Sequence, residues 1–169
     1  MLSKYVNGKV YVFIDAENIM YSQRTLGWRI SYQKLMAYFI KECGEEVKCF
    51  LYKGVDEQNS RQRKFMDMLD INGYIVRSKV VKIIIGDGGV NKWKGNLDIE
   101  LALEMVELKD HFDTAILMSG DSDFAVVLDK LKKANKRVIV MSTRGRVARE
   151  LLVRAVYIDL RKIKAEISQ

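Results

Sequence analysis

Val10-Tyr11-Val12-Phe13-Ile14-Asp15 decides the fold. Its apolar residues run without a polar break and end on one carboxylate. A short continuous apolar run reads as a strand buried on both faces, which is the habit of parallel sheets. Outward from it, Val47–Tyr52, Thr114–Met118, Arg137–Met141 and Val156–Ile158 read as further strands, and Tyr74–Ile85 as a partly exposed one. Between them lie helical patterns. One starts at Ser31 and runs to about Cys43, with Gly44 as its stop. Others cover Asn59–Asn72, Asn96 to about Phe112, Asp121–Ala134, a short stretch near Arg146–Leu152 and a basic last helix. Gly86–Gly95 reads as a loop. Strands alternating with helices predict an α/β fold of three layers, α/β/α, with a central, mostly parallel sheet. No linker or repeat divides the chain, so residues 1–169 are expected to form one domain.

The 169 residues include no proline, and 49% are hydrophobic, enough for a packed core and too many for a disordered chain. No apolar run is long enough to span a membrane, and the first residues do not read as a secretory signal. The expected setting is cytoplasmic, with no membrane partner. Cys43 and Cys49 form no CxxC pair, and with His111 as the single histidine they cannot build an ordinary structural zinc site. Both are expected to be packing residues. The net charge of +7 favours polyanionic partners.

The chemistry is expected at one edge of the sheet. In an open parallel sheet, ligands bind beyond the carboxyl ends of the strands, where strand order reverses. Asp15 ends the first strand, and Asn18 follows three residues later. Asp121 and Asp123 follow the strand ending at Met118, around a tight turn. If those strands are neighbours, the three carboxylates converge. Gathered anions raise one another's pKa unless a cation neutralises them, and hard oxygen ligands suit Mg²⁺ or Mn²⁺. Asp121 and Asp123 also suit helix capping. Asp98 falls in the first turn of its helix, where an acid suits the dipole, and it is a further candidate for the metal pocket. Glu104 lies about 120° away from Asp98 on an ideal helix, so it shares a site only through an irregular first turn or a bridging substrate.

Three segments together resemble the NYN-domain family, the LabA-like branch of the PIN-fold nucleases: Val12-Phe13-Ile14-Asp15-Ala16-Glu17-Asn18-Ile19, Lys94-Gly95-Asn96-Leu97-Asp98 with Glu104, and Ser119-Gly120-Asp121-Ser122-Asp123-Phe124. Tyr157-Ile158-Asp159-Leu160 resembles the way these domains close. The likeness runs from residue 10 to about 160. It implies a PIN-like fold and divalent-metal-dependent cleavage of RNA, single-stranded or structured, leaving 5′-phosphate and 3′-hydroxyl ends. Carried over, it makes Asp15, Asp98, Asp121 and Asp123 the acidic metal positions and Asn18 the amide that orients water or phosphate. Glu104 stands where the family often has Asp, and Lys94 matches a recurring base. Asn96 replaces a position that is often apolar in relatives.

A carboxylate cluster repels phosphate, so cations must draw the substrate in. Candidates are Lys53, Arg61, Arg63, Lys64, Arg77, Lys79, Lys82, Lys92 and Lys94, and Arg144 in the Thr143–Arg146 turn, which suits a phosphate at a helix start. Trp93 can stack on an unpaired base, a contact worth roughly 1–3 kcal/mol. An apolar surface around Trp28 is a candidate homodimer face. Two alternatives stay open: an RNA-binding or regulatory module of the same fold, and a metal-dependent phosphatase for small phosphates. The second lacks the expected DxD pair, since residue 17 is Glu. No P-loop, GxGxxG or GxSxG motif is present.

Overall fold

The computed structural model describes residues 1–56, 58–85, 91–94 and 96–169; of residues 82–85 and 91–94 it describes the backbone alone. In chain order the elements are β1 (Val10–Asp15), α1 (Ala16–Leu26), α2 (Tyr32–Cys43), β2 (Lys48–Val55), α3 (Ser60–Ile71), β3 (Ile75–Val80), β4 (Lys82–Ile85), β5 (Asn91–Lys94), α4 (Asp98–Glu107), β6 (Thr114–Met118), α5 (Ala125–Lys133), β7 (Arg137–Ser142), α6 (Arg149–Leu152), β8 (Val156–Asp159) and α7 (Lys164–Ile167). Single 3₁₀ turns follow α4, precede α5 and follow β8.

Six strands form one sheet in the order β3-β2-β1-β6-β7-β8, and every pairing in it is parallel. The order runs outward from β1 to β3, then restarts on the other side of β1 with β6. The reversal therefore falls between β1 and β6, paired in register from Val10↔Thr114 to Ile14↔Met118. The α/β architecture expected from the strand–helix alternation is the one observed.

β1 is buried at all six positions, and the pleat divides it between two cores. Val10, Val12 and Ile14 pack with Ile19, Leu35, Phe39 and Leu69, from α1, α2 and α3. Tyr11 and Phe13 pack with Leu101, Met105, Leu128 and Leu131, from α4 and α5. Phe13 stacks on Phe50, with centroids 5.3 Å apart, and meets Phe112 edge-on at 5.8 Å. Cys49 is buried within the first core and Cys43 packs against it, both as free thiols.

The helix signals at Ser31 and Gly44 act as expected, and Asn59 and Asn135 prove to mark helix ends too. Ser31 and Asn59 cap α2 and α3 through their side chains, Gly44 ends α2, and Asn135 has φ 59° beyond α5. Two segments differ from the sequence reading. Ala16–Leu26, to which no element was assigned, is helix α1, started by the Asp15 carboxylate and stopped by Gly27 at φ 72°. Tyr74–Ile85 is not one strand. It turns at Val81 after β3, and its second half pairs antiparallel with Asn91–Lys94, part of the expected loop. Ile83 and Ile84 find partners in that hairpin and not in the sheet. The end of the chain straps onto the start of α2: Ile30 bridges Ser168, and Ser31 N–H donates to the Ile167 carbonyl. Among the described residues no helix is long and apolar enough to cross a membrane.

Phe13→Ala removes the ring on which the second core is centred. We expect it to lower unfolding free energy by about 3–5 kcal/mol in urea titrations; a loss below about 1 kcal/mol would contradict this placement of the core.

Candidate active site

Asp15 is both the last residue of β1 and the cap of α1. Its Oδ1 accepts the Asn18 N–H at 3.0 Å, and its Oδ2 accepts the Ser119 hydroxyl at 3.0 Å. Ser119 is buried directly after β6, and its Oγ also accepts the Asp121 N–H at 3.3 Å. A second link crosses the same crevice: Gly120 N–H donates to Asn18 Oδ1 at 3.0 Å. The two strand ends are thus joined by side chains where no ladder remains. With its oxygen fixed in this way, Asn18 keeps its NH₂ group as a donor.

Gly120 could not be replaced without movement. A Cβ there would lie 1.8 Å from the Arg146 carbonyl oxygen, because the Thr143–Arg146 turn packs directly on this backbone. The Ala148 N–H closes the contact on the Gly120 carbonyl at 2.9 Å.

Asp98 opens α4, held by Asn96, whose carbonyl oxygen accepts the Asp98 N–H at 2.8 Å and whose NH₂ donates to the carboxylate. Asn96 therefore does the work of a cap two residues early, which explains its polar character. Asp121 caps the 3₁₀ turn Ser122–Phe124 by accepting the Asp123 N–H at 3.0 Å; Asp123 itself is exposed. Capping and proximity to the site coexist at Asp15 and Asp121.

The carboxylates feel one another. Burial pushes the Asp15 pKa up to about 6, against the hydrogen bond from Asn18, and the Asp98 charge pushes the same way. Burial also raises Asp98; Asn96 opposes it, and the charges of Asp121 and Asp123 add to it. Asp15 and Asp98 line one small pocket with Glu17, Tyr52 and Gly54. Among the described residues no three acidic or imidazole groups already form a closed metal cage. The donors nevertheless fit a hard cation: oxygen ligands, two of them with their charged forms disfavoured until a positive charge arrives.

Glu104 does not join them. Its carboxylate accepts the Tyr52 hydroxyl at 2.8 Å and a two-pronged pair from Arg77, as close as 2.6 Å. Burial would raise its pKa, but Arg77 and then Tyr52 hold it below the ordinary carboxylate range. Arg77, one of the candidate substrate cations, is committed to this pair, and Lys79 to Glu100 at 2.6 Å. Lys53 is buried at the carboxyl end of β2. Arg144 is exposed in the turn after β7. The side chains of Lys82, Lys92, Trp93 and Lys94 lie outside the described residues. His111 is exposed beyond α4, away from this chemistry. Sequence reasoning assigned no role to Ser119 or Tyr52; the Ser-Gly-Asp-Ser-Asp spacing held the signal for Ser119, since the first polar side chain after a buried strand must find a partner.

The acids at the ends of β1 and β6 and at the start of α4 all fall within the span of a known family model. The NYN-domain model covers residues 9–161. The chain belongs to the NYN-domain family. It is 33% identical over 165 residues to the low amplitude and bright protein LabA of Synechococcus elongatus, covering 95% of this chain and 88% of that protein. The fold is shared with a crystal structure of a Vibrio parahaemolyticus protein of unknown function, at a TM-score of 0.76 and 23% identity, covering 96% of each chain. In this NYN domain the PIN-like sheet brings Asp15, Asn18 and the Ser119–Asp123 turn together, while Glu104 serves a neighbouring ion pair.

The raised Asp15 pKa has a stability signature. The folded value near 6 lies above the ordinary 3.8, so the native state holds this proton longer than the unfolded chain. Its contribution to stability is complete below about pH 3.8 and is lost as pH rises to about 6. In metal-free buffer, Asp15→Asn should therefore be more stable than wild type at pH 7.5, by on the order of 3 kcal/mol. The gain should shrink towards zero at pH 4 in urea unfolding curves. A difference that does not vary with pH would remove burial of the charge as its cause.

Proposed function

We propose that this NYN domain is a divalent-metal-dependent ribonuclease that hydrolyses RNA phosphodiester bonds. The observation that carries the reading is the stitched crevice between β1 and β6, where Ser119 and Asn18 hold Asp15 against the Asp121 turn within the field of Asp98. Family membership and the +7 charge support it.

Asp15 and Asp121 would be the principal ligands of Mg²⁺ or Mn²⁺, with Asp98 and Asp123 holding the ion directly or through water. When bound, the ion lowers the pKa of water and neutralises charge on the attacked phosphate. Ser119 keeps Asp15 in one rotamer and presents Asp121 through the same oxygen. Asn18, its carbonyl oxygen already engaged, offers N–H donors to a phosphate oxygen. Glu104 acts at one remove, by holding Tyr52 and Arg77 beside the pocket.

The test is cleavage of a labelled single-stranded RNA with Mn²⁺ or Mg²⁺. EDTA should abolish it, and Asp15→Asn and Asp121→Asn should each lower kcat by about 100-fold or more, a change of several kcal/mol in the barrier. Glu104→Gln should cost far less. Cleavage that survives both aspartate substitutions would defeat the proposal.

A second reading, an RNA-binding module with little turnover, is favoured by two features. Glu104 is locked in an ion pair, and the described acids do not form a finished cage. Calorimetric Mn²⁺ binding that depends on Asp15, with no cleavage of any RNA tested, would select it.

A further inference from the structure

A groove of about 910 Å³ opens beside the carboxylate site, on the face of the sheet covered by α1, α2 and α3. Its size is that of a ligand site, typically roughly 300–1,000 Å³. Its charged side chains are all basic. Arg24, Arg29, Lys53 and Arg61 line it, and among the described residues no Asp or Glu side chain does. Its wall is aromatic: Trp28 is half-buried, and Tyr32 packs edge-on against Phe65 at 5.2 Å.

Two of the side-chain amides that line it present donors. Gln23 Oε1 accepts the Ile30 N–H at 2.8 Å, and Gln62 Oε1 accepts the Asp56 N–H at 2.9 Å. Each amide has its acceptor committed inside the protein and its NH₂ group left as a donor. A ligand rich in acceptors and negative charge matches such a surface.

Lys53 shows where that ligand begins. It is 8% exposed and forms no direct ion pair among the described residues; the Glu17 charge reaches it only through space, and its hydrogen bond is to the Met20 sulfur at 3.7 Å. A buried cation without a direct counter-ion is costly, and an anion placed beside it lowers that cost. Lys53 follows Tyr52, the register partner of Asp15, so it stands one residue from the level of the catalytic carboxylate. The pleat turns it, like Cys49 and Leu51, towards the α1–α3 face. A strand leaving the carboxylate site across the sheet edge meets Lys53 first and the groove next.

We propose that this groove is a substrate subsite that holds an unpaired nucleotide of the RNA flanking the cleaved bond. Lys53 takes the adjoining phosphate, Arg24 and Arg61 take the next phosphates at the rim, and Trp28 with Phe65 receives the base. Gln23 and Gln62 donate to the carbonyl oxygens on the base edge. The subsite deepens the ribonuclease reading and rests on it, but its residues lie apart from the acids, so the two can fail separately.

The test uses the full chain carrying Trp93→Phe, which leaves Trp28 as the single tryptophan. Titration with a single-stranded RNA oligonucleotide in EDTA, so that nothing is cleaved, should quench Trp28 emission. The same sequence as a duplex should quench it far less. The double variant Arg24→Ala/Arg61→Ala changes two exposed side chains and should keep the fold. It should weaken single-strand binding at least about 10-fold and reduce the slope of log K against log salt by about 1.4, two phosphates at about 0.7 each. In cleavage it should raise KM and leave kcat within about two-fold, whereas Asp15→Asn lowers kcat. RNA that binds and is cleaved in an Asp15-dependent way, with Trp28 unquenched and the double variant's Kd within two-fold of wild type, overturns the subsite and leaves the ribonuclease reading standing. If the wild type neither binds nor cleaves RNA, both fall. Quenching by an acidic peptide and not by RNA overturns the subsite and assigns the groove to a protein ligand.

Discussion

Everything at the site depends on β1 and β6 lying side by side and parallel. Each is buried on both faces, so their backbone groups are satisfied within the sheet and their side chains by the two cores. At their carboxyl ends the chain diverges: β1 continues into α1 on one face, β6 into α5 on the other. That divergence opens a crevice that no ladder bond can close. The protein spans it with Ser119 on Asp15 and Gly120 on Asn18. Gly120 is required there because the turn after β7 presses the Arg146 carbonyl oxygen onto the same backbone.

The crevice holds charge at the expense of stability. Asp15 is ionised at neutral pH in a place where burial disfavours ionisation, and Asp98 stands close enough to add to the difficulty. A site selected for stability alone would have an amide or an apolar residue at that position. Such local conflict is expected where a fold has been committed to binding a cation or a reacting group. The contrast with Glu104 is instructive. It sits on the same helix as Asp98, yet Arg77 and Tyr52 satisfy it completely, and its charge is stabilised and not strained. Two acids on one helix have opposite electrostatic fates because one faces other acids and the other faces a guanidinium from β3.

The cations divide in the same way. Arg77 and Lys79 answer acids on α4 and hold the layers together. Lys53, Arg24 and Arg61 form no direct ion pair among the described residues and share a groove that no described Asp or Glu side chain lines. Net charge alone could not separate the two sets, since pairing depends on which helix lies over which strand.

Several features were legible in the amino-acid sequence because they rest on local rules. The unbroken apolar run before Asp15 announced a strand buried on both faces, and Ser31 and Gly44 marked helix ends through a side chain and backbone freedom. The order of the acidic motifs also pointed to one sheet edge and to the NYN family. Other features needed the fold. α1 was missed because its start signal is Asp15 itself, which also reads as a catalytic acid. The run Tyr74–Ile85 was read as one strand, because β-propensity cannot tell a sheet strand from a hairpin strand beyond a turn. Ser119 as the clasp on Asp15, Arg77 as the partner of Glu104, and the basic groove around Lys53 all join residues far apart in the chain. Sequence determined which residues could carry charge and where several of the elements would begin or stop. Only the packing of the sheet and its helices decided which charges meet, because Coulomb and desolvation energies depend on distances in space that spacing along a chain does not record.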